Sequence, residues 1–448
     1  MIPPWDQLSD RERTVFSAAV SFLSKRLAER DTIDWALKLK PTQRIERLTI
    51  KYLLDDPGAQ AIAEPWATSW RLIEESWSNA PVEQGPSLEV HRIRRRLAAG
   101  DRSGSIVSAI TNLVAPRLDV EPIGAWRWEF EKKPRRPKTF NDLLSVRLTS
   151  GQLVDLEVLG LEKLEEIPFL VELAHSLDAA VTCGLNAAKR TGWTDSDSRL
   201  LVGSPNRVYY MQRSRRVGGE EEPDAYHRGI APSVKLLHAV VSRIAELDAK
   251  ASLPFVHSWR VSSSPLCTRL WAAIARSSHL VSAQDVAAFL QGLDDHQFWS
   301  LSDFPEIAEL RARRFSGLAP DAQKSTASRI RRGPPRNLWL KKADSDQVRT
   351  AKRYWIVREL KRLEIAGGGL ERGTQAWLMT KINEFPDLAS MKIDSDFPEG
   401  PSVRWVSPNP DSRYETLRGT GRLRALERFP IIRSHILQRR SSFRIPVA

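Results

Sequence analysis

The sequence is poor in cysteine, in long apolar runs and in nucleotide or nucleophile motifs, and each shortage closes off a class of protein. Cys183 and Cys267 are the only two cysteines in 448 residues, and neither belongs to a CxxC pair. A disulfide framework and a four-cysteine zinc site are thereby excluded, and a reducing, cytoplasmic setting is expected. The most apolar long stretch, PFLVELAHSLDAAVTCGLNAA at 168–188, is broken by Glu172, His175 and Asp178. No span approaches the roughly twenty uncharged apolar residues that a membrane helix needs, so no membrane partner is expected. The opening MIPPWDQLSDRERTVF lacks the basic stretch and apolar core of a secretory signal and reads as the entry to an amphipathic helix.

The glycine-bearing segments AGGGLERG (366–373) and RGTGR (418–422) lack the Lys-Ser/Thr of a P-loop and open no helix directly after a strand. They read as helix stops and turns. There is no GxSxG, and no base is placed by motif beside either cysteine, so both cysteines are expected to be small buried apolar residues. No cofactor is expected.

What the chain does have is an uneven division of charge. Its formal net charge is +13; residues 311–448 carry 29 Lys+Arg against 14 Asp+Glu, whereas 1–310 carry 39 against 41. A partner of negative charge is therefore expected at the C-terminal third. Between Lys324 and Arg362 there are 13 Lys+Arg and three acids, including RIRRGPPRNLWLKK (329–342), where Pro334 and Pro335 break a helix and Trp339 interrupts the charges. Arg331, Arg332, Arg336, Lys341 and Lys342, followed by Arg349 and Arg353, are candidates to track a phosphate backbone, with Trp339 as a ring to stack. The loop KKPRRPK (132–138) adds Lys132, Lys133, Arg135 and Arg136. Long cationic side chains lying along apolar surface at a helix–helix or subunit contact would give the same pattern. On a helix over 345–365, Val348, Ala351, Trp355, Ile356 and Leu363 fall within an arc of about 140°, Arg349, Arg353 and Lys361 flank it, and Lys352, Arg358 and Arg362 point elsewhere.

Two sets of acids invite a metal. Asp155 and Glu157 in LVDLEVLG would share one face of a strand and could hold a divalent cation, but a restriction-type nuclease wants a lysine two residues after the second acid, and that residue is Leu159. Solvated carboxylates explain the pair. In EEEPDAYH, Glu220, Glu221, Glu222, Asp224 and His227 lie close together, with His238 eleven residues beyond His227 and Pro232 between them. An acidic loop opposing the positive end of a helix accounts for these residues without a metal, and none is assigned.

Periodicity predicts a mainly α protein, an irregular helical array or multi-helix bundle, with a small β element around 120–210 as its one departure. Helices are expected over 8–30, where Ser9 and Glu12 have capping-box spacing, and over 42–55, 87–99 and 103–115. Trp66, Trp70 and Trp77 share one face of a further helix, and the fifteen tryptophans as a set are expected mostly in cores. Alternation of Trp126, Trp128 and Phe130 with charged residues gives a strand; 144–149, 153–159 and 207–211 are extended candidates, and 117–220 is open between a small sheet and irregular connections. Helices then follow over 232–248, 251–259, 265–277, 283–291, 304–315, 321–331, 345–365, 373–384 and 414–428, with start signals at Ser264-Pro265, in an Asp303/Glu306 box and at Asp344 with Gln347, and a stop at Gly367-Gly368-Gly369. The division this suggests is an N-terminal helical domain (1–116), a mixed or irregular connecting region (117–225), a helical array (226–385) and a basic C-terminal segment (386–448).

HRIRRRLAAGD (91–101), HRGIAPSVKLLHAVV (227–241), RLWAAIAR (269–276), PEIAELRARRF (305–315), GPPRNLWLKKAD (333–344) and YWIVRELKRLEIAGG (354–368) together resemble helical regions of large bacterial antiphage-defence proteins, in which helical arrays accompany STAND-like NTPase or effector modules. The resemblance spans roughly 60–430, and its motifs name no catalytic residue. It implies a sensor, adaptor or scaffold whose chemistry is supplied by another protein subunit, such as an NTPase or effector, or by a region absent from this sequence. Two rivals stand beside that expectation: an autonomous DNA- or RNA-binding protein, and a metal-dependent nuclease built on Asp155, Glu157 or the His227 cluster.

Overall fold

Ser9 and Glu12 start the first helix as their spacing predicts: the Ser9 hydroxyl accepts from the Glu12 amide at 3.4 Å, and Glu12 Oε2 accepts from the Ser9 amide at 2.9 Å. A computed structural model describes residues 9–55, 62–77, 88–123, 136–149, 151–192, 205–211, 224, 229–339, 343–391 and 393. The chain divides between Ile274 and Ala275 into two units.

The first unit holds α1 (Asp10–Leu23), α2 (Arg30–Ala36), α3 (Arg44–Asp55), α4 (Trp66–Trp77), α5 (Leu88–Ala98), α6 (Gly104–Val114), β1 (Arg117–Pro122), β2 (Leu144–Thr149), α7 (Leu156–Leu159), α8 (Ile167–Arg190), α9 (Ala231–Leu247), α10 (Ala249–Val261) and α11 (Pro265–Ile274). Its centre is the pairing of α8 with α9. Every residue of α9 from Ala231 to His238 is buried, as expected of a helix covered on all sides. On α8, Gly184 permits the closest approach: a Cβ there would stand 2.4 Å from Pro116 Cγ. Among the described residues the sheet is the antiparallel pair β1–β2, with Val120 opposite Val146. Trp70 is fully buried on α4, and its indole N–H donates to the Leu27 carbonyl at 2.7 Å.

The second unit holds α12 (Ala283–Gly292), α13 (Asp295–Trp299), α14 (Pro305–Arg314), α15 (Pro320–Arg332), α16 (Ser345–Ile365) and α17 (Arg372–Lys381). Here α14 lies against α12, α13 and α16, and α16 also meets α15 and α17. Asp344 caps α16, accepting from the Asp346 and Gln347 amides at 2.9 and 3.0 Å. The glycine stop works as read: Gly367 takes a φ of 81°, and the Gly368 amide returns to the Leu363 carbonyl at 2.8 Å. Trp299, Trp355 and Trp339 pack in series, with ring centroids 6.4 and 5.1 Å apart.

The protein is thus mainly α-helical with a small β element, and no helix among the described residues is long and apolar enough to cross a membrane. Several local expectations are corrected. Residues 8–30 are not one helix: α1 ends at Leu23 and α2 starts at Arg30. Residues 153–159 are not a strand but an irregular approach to the short α7, and 207–211 are irregular. The Asp303/Glu306 box does not form. Phe304 occupies the cap position of α14 without a side-chain bond, because Asp303 accepts from Ser300 Oγ and meets His296 instead, each at 2.8 Å. Predicted elements at 126–130 and 414–428 lie outside the described residues.

Candidate functional site

Inside the second unit three arginines converge on one carboxylate. Arg311 comes from α14; Arg358, Glu359 and Arg362 come from α16, and all four side chains are 1% exposed. Arg311 Nη2 bonds Glu359 Oε2, Arg358 Nε lies 3.0 Å from Oε1, and Arg362 Nε lies 3.5 Å from Oε2. Arg311 Nη1 also donates to the Phe298 carbonyl at 3.1 Å, and Arg362 Nη1 donates to the Ile393 carbonyl. Burial alone would raise the Glu359 pKa, but Arg362, Arg311 and Arg358 overcome it and hold the carboxyl at about 2. Burial in turn pulls the Arg311 and Arg358 pKa values down, against the opposing pull of Glu359. Nearby, Arg276 Nη1 meets Glu309 at 2.6 Å, and Arg314 is tied to the Ala275, Ser277 and Val281 carbonyls. The apolar arc of α16 places Arg358 and Arg362 elsewhere and does not show this arrangement; the available signal is Glu359, an acid set between them in sequence.

The first unit has a smaller buried centre. Lys235 Nζ lies 2.8 Å from Asp224 Oδ2, both side chains are fully buried, and Lys235 also donates to the Tyr209 carbonyl at 3.0 Å. Asp224 accepts from the Asn206 amide at 2.9 Å, and Arg269 Nη2 donates to the Pro205 carbonyl at 2.9 Å. This lysine on α9 and arginine on α11 clasp the segment 205–211 to the helices. Of the acidic cluster read from the sequence, Asp224 is therefore engaged in an ion pair, His238 is buried on α9, and 220–222 and His227 lie outside the described residues. Asp155 caps α7, accepting from the Val158 amide at 2.7 Å, so it does not share a strand face with Glu157. Among the described residues no group of three or more His, Cys, Asp or Glu could hold a metal ion.

A His–Asp–Ser grouping at the α13–α14 turn does not have the order nucleophilic catalysis requires. His296 Nε2 and Ser300 Oγ both approach Asp303 Oδ2 at 2.8 Å, so the hydroxyl is held by the acid and not by the imidazole.

The basic candidates divide into engaged and free groups. Arg349 pairs with Asp346, and Arg353 meets Glu384 at 2.7 Å. Arg331 lies 3.9 Å over the Trp377 ring, and burial lowers its pKa. Arg336 donates to the Ala343 carbonyl at 3.1 Å. Trp339, expected as a ring open for stacking, is instead 7% exposed against Trp355. Exposed cations without an ion pair among the described residues include Lys324 and Arg332, which lie with Ser328 along the outer face of α15 at intervals of four. Lys352 from α16 comes beside the end of that row, its side chain close over Gly333. Arg136, in the first unit, is exposed. Lys341, Lys342, Lys132, Lys133 and Arg135 lie outside the described residues.

No protein-family model matches the chain, and no solved structure matches it. It is similar to the uncharacterized protein y4cA of Sinorhizobium fredii (strain NBRC 101917 / NGR234), with 22% identity over 263 residues. The match takes in 57% of this chain and 20% of y4cA, so it concerns a minor part of a much longer protein.

Proposed function

We propose that this chain is a non-enzymatic scaffold, sensor or adaptor module of a larger protein assembly, of the antiphage-defence kind that its sequence resembles, with a basic face on α15 that meets an anionic partner, DNA or RNA. The observation that carries this reading is where the charge goes. Asp155, Asp224, Glu309 and Glu359 are each committed to a cap or an ion pair, while Lys324 and Arg332 stand in an exposed row. Lys324 and Arg332 are eight residues apart, about 12 Å along the axis of α15, far enough for each to meet a separate phosphate of one strand. The match to a fraction of a longer protein fits a module that works beside other parts. The other cations at the end of α15 also favour its negative dipole end, and that role coexists with phosphate contact.

Two measurements test the proposal. Binding to single- and double-stranded DNA and RNA should fall with salt, and Gln at Lys324, Arg332 and Lys352 should lower affinity and flatten the log–log slope, with sequence preference unchanged. The complex purified from the native host should contain the chain in fixed ratio to at least one other protein. A purified chain that turns over nucleic acid or nucleotide by itself, with activity lost on substituting its own residues, overturns the module reading; no binding at low salt removes the nucleic-acid part.

A further inference from the structure

The first helix leaves an apolar seam exposed, with the Arg26 guanidinium 4.5 Å over the Phe22 ring at its end. Only Leu23 of α1 is buried, whereas Val15 is 56% and Phe22 61% exposed. Arg11, Val15, Ala18, Phe22 and Lys25 follow one another at steps of four, three, four and three, the stride of positions that face a partner helix in a coiled coil, and all five are exposed. A second row on α3 joins it. Ile45 and Tyr52, seven residues apart, are 43% and 53% exposed, and Tyr52 touches the ring of Phe16, with centroids 5.8 Å apart. The two helices therefore present adjoining apolar rows, the form of surface that takes an amphipathic helix.

Charge identifies the occupant. Cations close both ends of the α1 seam, Arg11 before Val15 and Lys25 after Phe22, and Arg44 is exposed beside Ile45. Of the neighbouring acids, Asp10 faces Arg13, Glu29 faces Arg26 and Asp55 lies in the field of Lys51, while Glu12 and Glu46 keep their charge and bond the neutral Ser9 and Gln43; over 10–29 and 44–55 together, seven Lys+Arg stand against five Asp+Glu. A second copy of the chain would set Arg11 against Lys25 if antiparallel, or each cation against itself if parallel, so self-pairing along this seam juxtaposes like charges in either orientation. We infer that the α1–α3 face is a docking site for an acidic amphipathic helix of a partner protein, its apolar stripe seated on Val15, Phe22, Ile45 and Tyr52 and its carboxylates meeting Arg11, Lys25 and Arg44.

The inference gives the assembly reading a partner class and rests on it for purpose, not for its physics. The probe is a synthetic helical peptide of three heptads with Leu at the seam positions and Glu flanking them, paired with a twin carrying Lys in place of Glu. The full chain should bind the Glu peptide at least tenfold more tightly than the Lys twin. Val15→Glu with Phe22→Glu, both at exposed positions, should reduce Glu-peptide binding at least tenfold with circular dichroism unchanged. Equal affinity for the two peptides overturns the inference, as does a homodimer in sedimentation that the double variant dissolves. If peptide binding is absent while a host protein still co-purifies with the double variant, this inference fails and the module reading stands.

Discussion

Lys235 Nζ and Asp224 Oδ2 form a 2.8 Å ion pair in which neither side chain is exposed, with the Tyr209 carbonyl and the Asn206 amide as further partners of the two charges. Removing one partner leaves the other charge buried without this counter-charge. Lys235→Met should cost about 3–5 kcal/mol, whereas Lys235→Met with Asp224→Asn should recover a large part of that loss. Urea denaturation of the single and double variants, analysed as a double-mutant cycle, reads the coupling. An additive pair of losses would mean the charges act independently.

A more severe loss is expected at Glu359, because it is the counter-charge shared by Arg311, Arg358 and Arg362. Glu359→Gln keeps the shape and leaves three buried cations facing an amide, with an expected loss of about 3–5 kcal/mol or more. Urea denaturation followed by circular dichroism compares the variant with the native chain; unchanged stability would contradict the arrangement.

The same residue sets a dependence on acid. Its folded pKa is about 2 against a usual value of 4.5, so its contribution to stability is fully present above pH 4.5 and is lost as the pH falls through 2. The stability difference between the native chain and Glu359→Gln should therefore narrow between pH 4.5 and 2. A difference that is flat across this window would show that the carboxylate is not held ionised by the arginines.

In the first unit, Trp70→Phe removes the indole bond to the Leu27 carbonyl and part of a fully buried ring. A loss of roughly 2–3 kcal/mol is expected from the unmet carbonyl and the cavity together. Trp35→Phe serves as the control, since Trp35 is 37% exposed; its effect should stay within about 0.5 kcal/mol. Thermal unfolding of both variants compares them directly.

Helices with explicit punctuation were legible in the sequence to within a few residues: the Ser9/Glu12 start, the Asp344 cap and the Gly367–Gly369 stop all act locally, so local sequence suffices. The 24-residue α8 carries an equally readable stripe of Leu170, Leu173, Ala174, Leu177 and Val181, but weighing the same stretch as a membrane span leaves its helical period unused. The Asp303 error has a different origin. A carboxylate can cap its own helix or bond His296 and Ser300, and three-dimensional neighbours decide which. The buried arginines are harder still, because a charged residue outside an apolar arc is normally solvated, and only the meeting of α14 with α16 supplies Glu359 to Arg311.

That meeting bears on how the chain can be divided. Helix α14 is buried along almost its whole length although its sequence, PEIAELRARR, has two acids and three arginines, so it has no apolar face with which to stand alone. A fragment stopping before α16 would contain Arg311 without Glu359, and one stopping at the end of α16 would contain Arg362 without the Ile393 carbonyl it bonds. The shortest excisable piece of the second unit should therefore include residue 393, and a break placed between Trp339 and Asp344 would separate Arg311 from the buried carboxylate that it pairs with.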